Sequence, residues 1–409
     1  MDFYHSGQIP TDLAEKSYSY NLLRLMPNGT APIFALSGLA KKKKCLQIEH
    51  GYWSKTMEFT NLLLVANILT DAQTVLECAS VASVIPNQII RIPRPFAGST
   101  FQAPEYVRVI SVDRSANEIT VERGFGGTTK FATLDTTTPV LMFGVGNAHE
   151  EGSVKPATRS IIPVRHMNNT QIFRNGWSTS RTMAAIKMIV GDGAVAENKR
   201  DATSFHAQDI ELATIFGRKS MGVGPQGNPL HTMDGFESVI EQYNPNHLMT
   251  AGATTSYKQL ESMLDKTLDV QTDVGVGNSR DLFVGSRALQ VINEVGRLSG
   301  EYQLSDGQTN FGMSFRTFQT SRGKFRLIEH PMLNTNDYLK GMALCLDLSA
   351  FDYAYMDGRD TQIEYLNGNM QSTDGTDASG GILTTELTTE IRNPFSCAII
   401  YGLTAGAAS

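Results

Sequence analysis

The chain has 409 residues, more than one hydrophobic core usually organises, so two or three subdomains are expected. Hydrophobic residues make up 41% and charged residues 19%, a balance that can bury a core and that excludes a disordered chain. Thirty-five Lys and Arg against 41 Asp and Glu leave a formal charge of −6, the wrong sign for a dedicated DNA binder, which needs excess cations to displace phosphate counterions.

The longest apolar runs, such as Leu62–Ala66 and Cys397–Tyr401, fall far short of the roughly 18–20 residues that cross a bilayer. The opening MDFYHSGQIP lacks a basic stretch followed by an apolar one, so no secretory signal is read there. Four scattered cysteines, Cys45, Cys78, Cys345 and Cys397, form no CxxC pair, and reduced, buried thiols are expected.

Residues 1–45 are weakly periodic and read as an extended arm, punctuated at Gln8–Pro10, Pro27–Gly29 and Gly38. Lys41–Lys44 is the one strong basic run, read as a solvated loop rather than a nucleic-acid contact. Residues 76–148 carry short segments rich in Val, Ile and Tyr, separated by turn residues. Ile89–Ile92, Glu105–Val112, Glu118–Glu122 and Val140–Phe143 are the predicted strands. Glu105–Asp113 and Glu118–Arg123 form a hairpin about Arg114–Asn117, with Val107, Val109 and Ser111 on one side. Gly124–Thr129 is too glycine-rich for a strand and reads as a loop. Thr170–Trp177 is a further strand, and helix signals begin at Arg181–Val190.

The middle of the chain is helical. Asp201 is a candidate cap for a helix to about Lys219, with Phe205, Leu212, Ala213 and Phe216 on its face. A second helix starts at Asp234 and stops before Asn244-Pro245, with Phe236, Val239, Ile240 and Tyr243 aligned. Beyond Thr250 helices and strands alternate. Ser256–Asp269 is helical, Asp281–Gly285 is a buried strand, and Ser286 starts another helix. Phe325–Ile328 and Ala343–Leu348 are strands, Met370–Gly381 is a polar loop, and Leu383–Tyr401 returns to strand or hairpin. The fold class is α+β.

Signals for catalysis are weak. Gly191–Ala196 matches a loose GxGxxA pattern, but its helix is expected several residues late and no parallel strand follows, so it reads as a turn. The eight histidines contain no HExxH, and His206 reads as a packing or surface residue. Asp357–Asp360 and Asp374–Asp377 lack the ligand density of a calcium loop. Cys45 beside the lysine run is a candidate for a lowered thiol pKa, with no histidine partner to place. No catalytic, cofactor or metal residue is nominated.

Large side chains instead sit where one compact core cannot take them all: Trp53, Phe59, Phe101, Phe125, Phe173 and Trp177. Such surface points to partners. Phe125, Phe173, Trp177 and Trp53 are the candidate intersubunit contacts.

The order of arm, extended loop, long helix and α+β domain resembles the major capsid proteins of tailed bacteriophages, the Hong Kong 97-like fold. The stretches that carry it are Ala31–Gly38, Ile119–Thr128 within Glu105–Thr129, Thr170–Phe173, Asp209–Glu211 with Gly217-Arg218, Met233–Phe236, and Leu387–Leu403 with Ile391–Pro394. The β segment looks like the insertion of one capsid subfamily. The resemblance implies an N-terminal arm at 1–46 and an extended loop at 47–187 with a β-rich insertion at 76–148. A peripheral domain at 188–248 would include a spine helix at 201–219. An axial domain would span 249–380, with C-terminal strands at 381–409 returning to the peripheral domain.

The resemblance further implies a non-enzymatic shell protein without cofactor, assembled as hexamers and pentamers around double-stranded DNA that it does not read by sequence. The shell would be icosahedral or prolate, part of the virion, and built in the host cytoplasm. Only some 45 residues precede the loop, so a separate scaffolding protein is implied, together with a portal. No crosslinking Lys, Asn and Glu align, so the shell would be non-covalent, stabilised by the β insertion or a cement protein. A tail or decoration protein, a cellular nanocompartment shell, and last a nucleotide-binding enzyme are the alternatives.

Overall fold

The computed structural model describes residues 42–55, 59–93, 103–137, 139–156, 158, 160–188, 193–270, 277–299, 309–310, 313–314, 316–365 and 377–406. Residues 1–41 of the predicted arm, Phe101, and Asp374 with most of the Met370–Gly381 loop fall outside them. In chain order the strands are β1 (Lys43–Cys45), β2 (Glu49–Ser54), β3 (Asn61–Leu64), β4 (Val75–Glu77), β5 (Gln88–Ile92), β6 (Glu105–Asp113), β7 (Glu118–Glu122), β8 (Val140–Asn147), β9 (Val164–Asn169) and β10 (Gln171–Ser180). After the long helix Ala194–Phe216 come β11 (Ser220–Val223), β12 (Pro229–Thr232), β13 (Leu248–Thr250), β14 (Ser279–Val284), β15 (Thr309–Asn310), β16 (Met313–Ser314), β17 (Arg316–Gln319) and β18 (Lys324–Glu329). The last are β19 (Ala343–Leu346), β20 (Phe351–Met356), β21 (Gln362–Tyr365), β22 (Ala378–Ile391) and β23 (Ala398–Tyr401). The chain divides into two compact units. One is Trp53–Arg165; the other combines the residues up to Tyr52 with those from His166 onward.

The Trp53–Arg165 unit is a small β-barrel. Its strands run in the order β3-β8-β5-β6-β7-β4, each pair antiparallel. The ends join: Leu64 bridges Cys78, Val65 N donates to Glu77 O at 3.0 Å, and Ala79 N donates to Leu63 O at 2.9 Å. Closure leaves no strand edge unpaired. Leu62, Leu64, Leu76, Ile90, Ile92, Val107, Val109, Ile119, Val121, Val140 and Met142 alternate inward and are buried together. The sheet takes in β3, so the β-rich stretch begins well before residue 76.

A register shift between Val109 and Ser111 is a β-bulge. It turns Ile110 and Ser111 outward and brings Val112 back against the core, so the predicted inward place of Ser111 is corrected.

One inward residue of β6 is charged. Glu105 is wholly buried and meets Arg123, 1% exposed at its side chain, at the end of β7. Arg123 Nε and Nη2 donate to the carboxylate at 2.5 and 2.7 Å, and Gly124 N and Phe131 N donate to it at 3.1 and 2.9 Å. Arg123 also donates to Gln73 O at 3.0 Å and Phe131 O at 3.1 Å. The contacts to Gly124 and Phe131 close the glycine-rich turn over the barrel end, and the one to Gln73 ties it to the segment before β4. A buried pair repays its desolvation only when so fully bonded.

In the other unit β22 is the centre. It pairs with β10 along its length on one side and with β20 and β21 on the other, and β1 adds in parallel to β20. A second sheet runs β13-β23-β19-β14-β18-β17 and buries its side chains against the helices Tyr257–Asp265 and Ser286–Ser299. Ser256 caps the first of these with a reciprocal Gln259 contact. The strand pairing runs across the expected boundary between 249–380 and 381–409. β20 and β21 belong with β22, while β23 joins the second sheet between β13 and β19.

The long helix starts at Ala194, seven positions before the expected Asp201, with Gly193 at φ 103° as its cap. The helix thus begins at Ala194, within the Gly191–Ala196 stretch, contrary to the late start expected; Gly191 and Asp192 lie outside the described residues. Its buried stripe is Ala202, His206, Ile210, Glu211, Thr214 and Ile215, while Phe205 and Leu212 face outward. Of the expected apolar face, Ala213 and Phe216 pack against the core, while Phe205 and Leu212 do not, because the partner strands beneath that part of the helix are polar. His206 bonds Asn175 Oδ1 and Thr385 Oγ1 at 2.7 Å each, Thr214 bonds Tyr353 OH at 2.7 Å, and Glu211 meets His330 Nε2 at 2.8 Å. At the helix end Gly217 and Gly235 pass so close that a Cβ on Gly235 would sit 2.7 Å from the Ala213 carbonyl oxygen.

Replacing Glu105 by Gln leaves Arg123 buried without its counter-charge and is expected to destabilise the barrel by about 3–5 kcal/mol. Denaturant-dependent labelling of Cys78, the barrel's own buried thiol, measures this; an unmoved midpoint would refute the role given to the pair.

Candidate assembly surface

The root of the N-terminal arm is held by charge. Lys43 Nζ lies 2.6 Å from Glu390 and 3.1 Å from Asp352. Lys42 and Lys44, on the flanks, reach Asp360 at 2.7 Å and Asp357 at 2.9 Å. His50 Nε2 adds 2.9 Å to Glu390, and Arg392 bridges to Asp352 at 2.6 Å. The three-residue strand β1 is too short to hold by its ladder alone; these pairs fasten it. The basic run at 42–44 is thus an intramolecular clasp and not a free solvated loop, and Asp357 and Asp360 serve it. Burial pushes Glu390 up, but the hydrogen bonds from His50 and Lys43 outweigh this and hold its carboxyl below the usual range. Burial pushes the Cys45 thiol up, against the lowered value expected beside lysines.

Beside the clasp, Tyr52 stacks on His166 at 4.9 Å and His166 meets Tyr243 edge-on at 4.8 Å. They line a cavity of about 30 Å³, with room for a water molecule or two. Among the described residues no group of three or more His, Cys, Asp or Glu is placed to hold a metal.

Asp234, in the Met233–Phe236 stretch, ties several elements. Its carboxylate accepts from Lys219 N at 2.8 Å and Ser238 Oγ at 2.6 Å, and its carbonyl accepts from Thr389 Oγ1 at 2.6 Å. This fixes the exit of the hairpin β11–β12, whose Met221, Val223 and Leu230 are exposed. A two-stranded hairpin is marginal in water by itself, and apolar side chains on it want a covering surface. Phe205 and Leu212, seven positions apart on the outer face of the long helix, are exposed as well.

The four candidate contacts separate into two kinds. Trp53 is 67% exposed on β2. Phe125 is half-buried in the turn after β7, with the Arg108 guanidinium 5.9 Å from its ring centre. Phe173 and Trp177, by contrast, are buried inside the subunit, so the expectation that they stand exposed in an isolated subunit is corrected. Both sit on the inward side of β10. Phe173 joins the core beneath the long helix; Trp177, 3% exposed, packs on Ala202 and Leu383 and meets Tyr365 edge-on. Gly381 makes room for its ring, because a Cβ there would lie 2.6 Å from it. Sequence reading missed the clasp and the hairpin. The acidic residues at 352, 357, 360 and 390, spread over the C-terminal third, were the available signal for the clasp.

Two outcomes follow. The depressed Glu390 pKa makes the clasp stabilising at neutral pH and above the unfolded carboxyl value, and that stability is lost as pH falls through the folded value, below the ordinary carboxyl range. Labelling of Cys45 with an acid-tolerant disulfide reagent should rise there while Cys345 stays protected, and Glu390→Gln should show the exposure already at pH 7; flat Cys45 labelling to pH 3 contradicts the clasp. Trp177→Ala should cost the subunit about 3–5 kcal/mol, whereas Trp53→Ala should stay within about 0.5 kcal/mol, as read by denaturant unfolding; equal losses would refute the distinction.

Residues 5–404 match the family model for the SU10 major capsid protein. The major capsid protein of Pseudomonas phage PaMx41 is 32% identical over 407 residues, covering 96% of this chain and 94% of that protein. Among solved structures, the capsid of an empty GTA particle aligns with 97% of this chain and 96% of its own at 9% identity and TM-score 0.45. The SrpI encapsulin of Synechococcus elongatus PCC 7942 aligns with 61% of this chain and 81% of its own at 9% identity and TM-score 0.43. Family membership rests on the two sequence matches, which span nearly the whole chain: it belongs to the SU10 major capsid protein family, the shell subunits of phages.

Proposed function

We propose that copies of this chain assemble as hexamers and pentamers into a closed, non-covalent shell around double-stranded DNA. The observation that carries the reading is the apolar surface on the hairpin β11–β12 and the outer face of the long helix, on a chain whose family builds capsids. Such surface is costly in an isolated subunit and is stabilising once a sister copy covers it. The arm at 1–46 would reach a neighbour from its clasped root. Residues 188–248 with β22 would form the peripheral domain, and the second sheet with its helices the axial domain. Trp53 and Phe125 are the intersubunit contacts that remain accessible. A net charge of −6 suits a container that confines DNA without gripping it.

A separate scaffolding protein, a portal and a cement protein complete this reading, with assembly in the host cytoplasm and no chemistry of the subunit's own. Expressed with its scaffold, the protein should give closed particles by electron microscopy. Val223→Lys in the exposed hairpin should leave the subunit folded and cut particle yield at least tenfold. Persistently monomeric wild-type protein under these conditions, or undiminished yield from the variant, would overturn the proposal.

A further inference from the structure

The barrel's outer surface is divided between two characters. Around β6, β7 and β4 it carries Arg108, Glu118, Glu122 and Glu77, with Arg108 paired to Glu122 at 2.9 Å, and the exposed Ile110 and Val75 interrupt this charge. Around β3 and β8 it is apolar. Leu63 stands directly opposite Leu141 in the ladder, and Phe143 opposite Asn61. The alternation that sends Thr60, Leu62 and Leu64 inward turns Phe59, Leu63 and Val65 outward, where they are exposed, Phe59 to 85%. On β8 the register passes from Gly144 to Gly146 against consecutive residues of β5, which leaves Val145 bulged outward at 55% exposure. Leu141 is 59% exposed, and the Arg91 guanidinium lies 5.3 Å from the Phe143 ring at the patch margin.

We propose that this face of the barrel, centred on Leu63, Leu141, Phe143 and Val145, is a contact with a second copy of the chain. Because the barrel is closed, no strand edge is offered there, and the face can bind only through side chains. Six partly exposed large side chains present on the order of 500 Å², within the range of the largest apolar patch on a monomer, which is often functional, but short of the roughly 800 Å² per partner that a free-standing complex buries. A protein arriving from solution would need more surface than this. A sister subunit held by its other contacts in the same shell needs only a small patch, since its effective concentration is already high. The inference rests on the proposed shell and adds to it a specific face of the insertion.

All four native cysteines are buried, so Leu141→Cys places a reactive thiol at the centre of the patch. With a small, shell-permeant reagent, labelling should be fast in the isolated subunit and at least tenfold slower in shells purified free of other polypeptides. Val145→Cys, on the bulge, gives the same reading should the first variant not fold. Equal rates in subunit and shell would overturn the proposal. Protection confined to complete virions that carry further proteins would overturn it too, by assigning the face to a different partner. Failure of the wild-type chain to form particles would instead defeat the shell reading itself, and electron microscopy of the wild type distinguishes the two failures.

Discussion

The polar load on one buried strand governs the larger unit. β22 reads ASGGILTTELTTEI, and Thr384, Thr385, Glu386, Thr388, Thr389 and Glu390 are all buried along it. Carboxylates and hydroxyls taken out of water need partners; Thr385, Glu386, Thr389 and Glu390 find theirs in distant parts of the chain, while the Thr384 and Thr388 hydroxyls have no hydrogen-bond partner among the described residues. Thr385 bonds His206 of the long helix. Glu386 accepts from Thr170 at 2.9 Å and pairs with Arg359 at 3.1 Å. Thr389 reaches Asn168 and Asp234, and Glu390 takes Lys43 and His50. Satisfying one strand therefore sets the seat of the helix, the root of the arm, the return strand and the start of the helix Phe236–Tyr243 at once.

That arrangement divides labour within the chain. Polar groups are spent inward, on a specific network that admits one register of β10 against β22. Apolar groups are left outward on the helix face and on the hairpin, where a monomer gains nothing from them. The barrel follows a different rule. It closes on itself, carries its own core and holds a buried ion pair, Glu105 with Arg123, at one end, so its stability needs no strand from elsewhere. A subunit of this kind is stable enough to persist and incomplete enough to associate.

Much of this was legible in the sequence where periodicity and turn chemistry act locally. The hairpin of Glu105–Asp113 and Glu118–Arg123, the helix ending before Asn244-Pro245, the helix beginning at Ser256 and the buried strand at Asp281 all follow from residues within a dozen positions of one another. What was hidden depended on partners far away in sequence. Thr and Glu in Leu383–Tyr401 look like the wet side of an alternating strand until His206, Lys43 and Arg359 are seen to meet them. For the same reason the face of the long helix was legible only in part: Ala213 and Phe216 pack on the core as expected, yet Phe205 and Leu212 face outward, and His206 and Thr214 face inward because the side chains beneath offer hydroxyls. Trp177 looked like a partner-seeking side chain because nothing local predicts the glycine at 381 that makes its pocket. Ser111 was misplaced by a single bulge, which flips every later side chain and leaves little trace in composition. The family resemblance, carried by the order of short stretches, reached further than any of these local signals.

The central claim is that sister copies cover the exposed hairpin. Hydroxyl-radical footprinting of Met221, Val223 and Leu230 in the free subunit and in assembled shells tests it most directly. Several-fold slower oxidation of all three in the shell is the expected result; the same rates in both states would contradict the account.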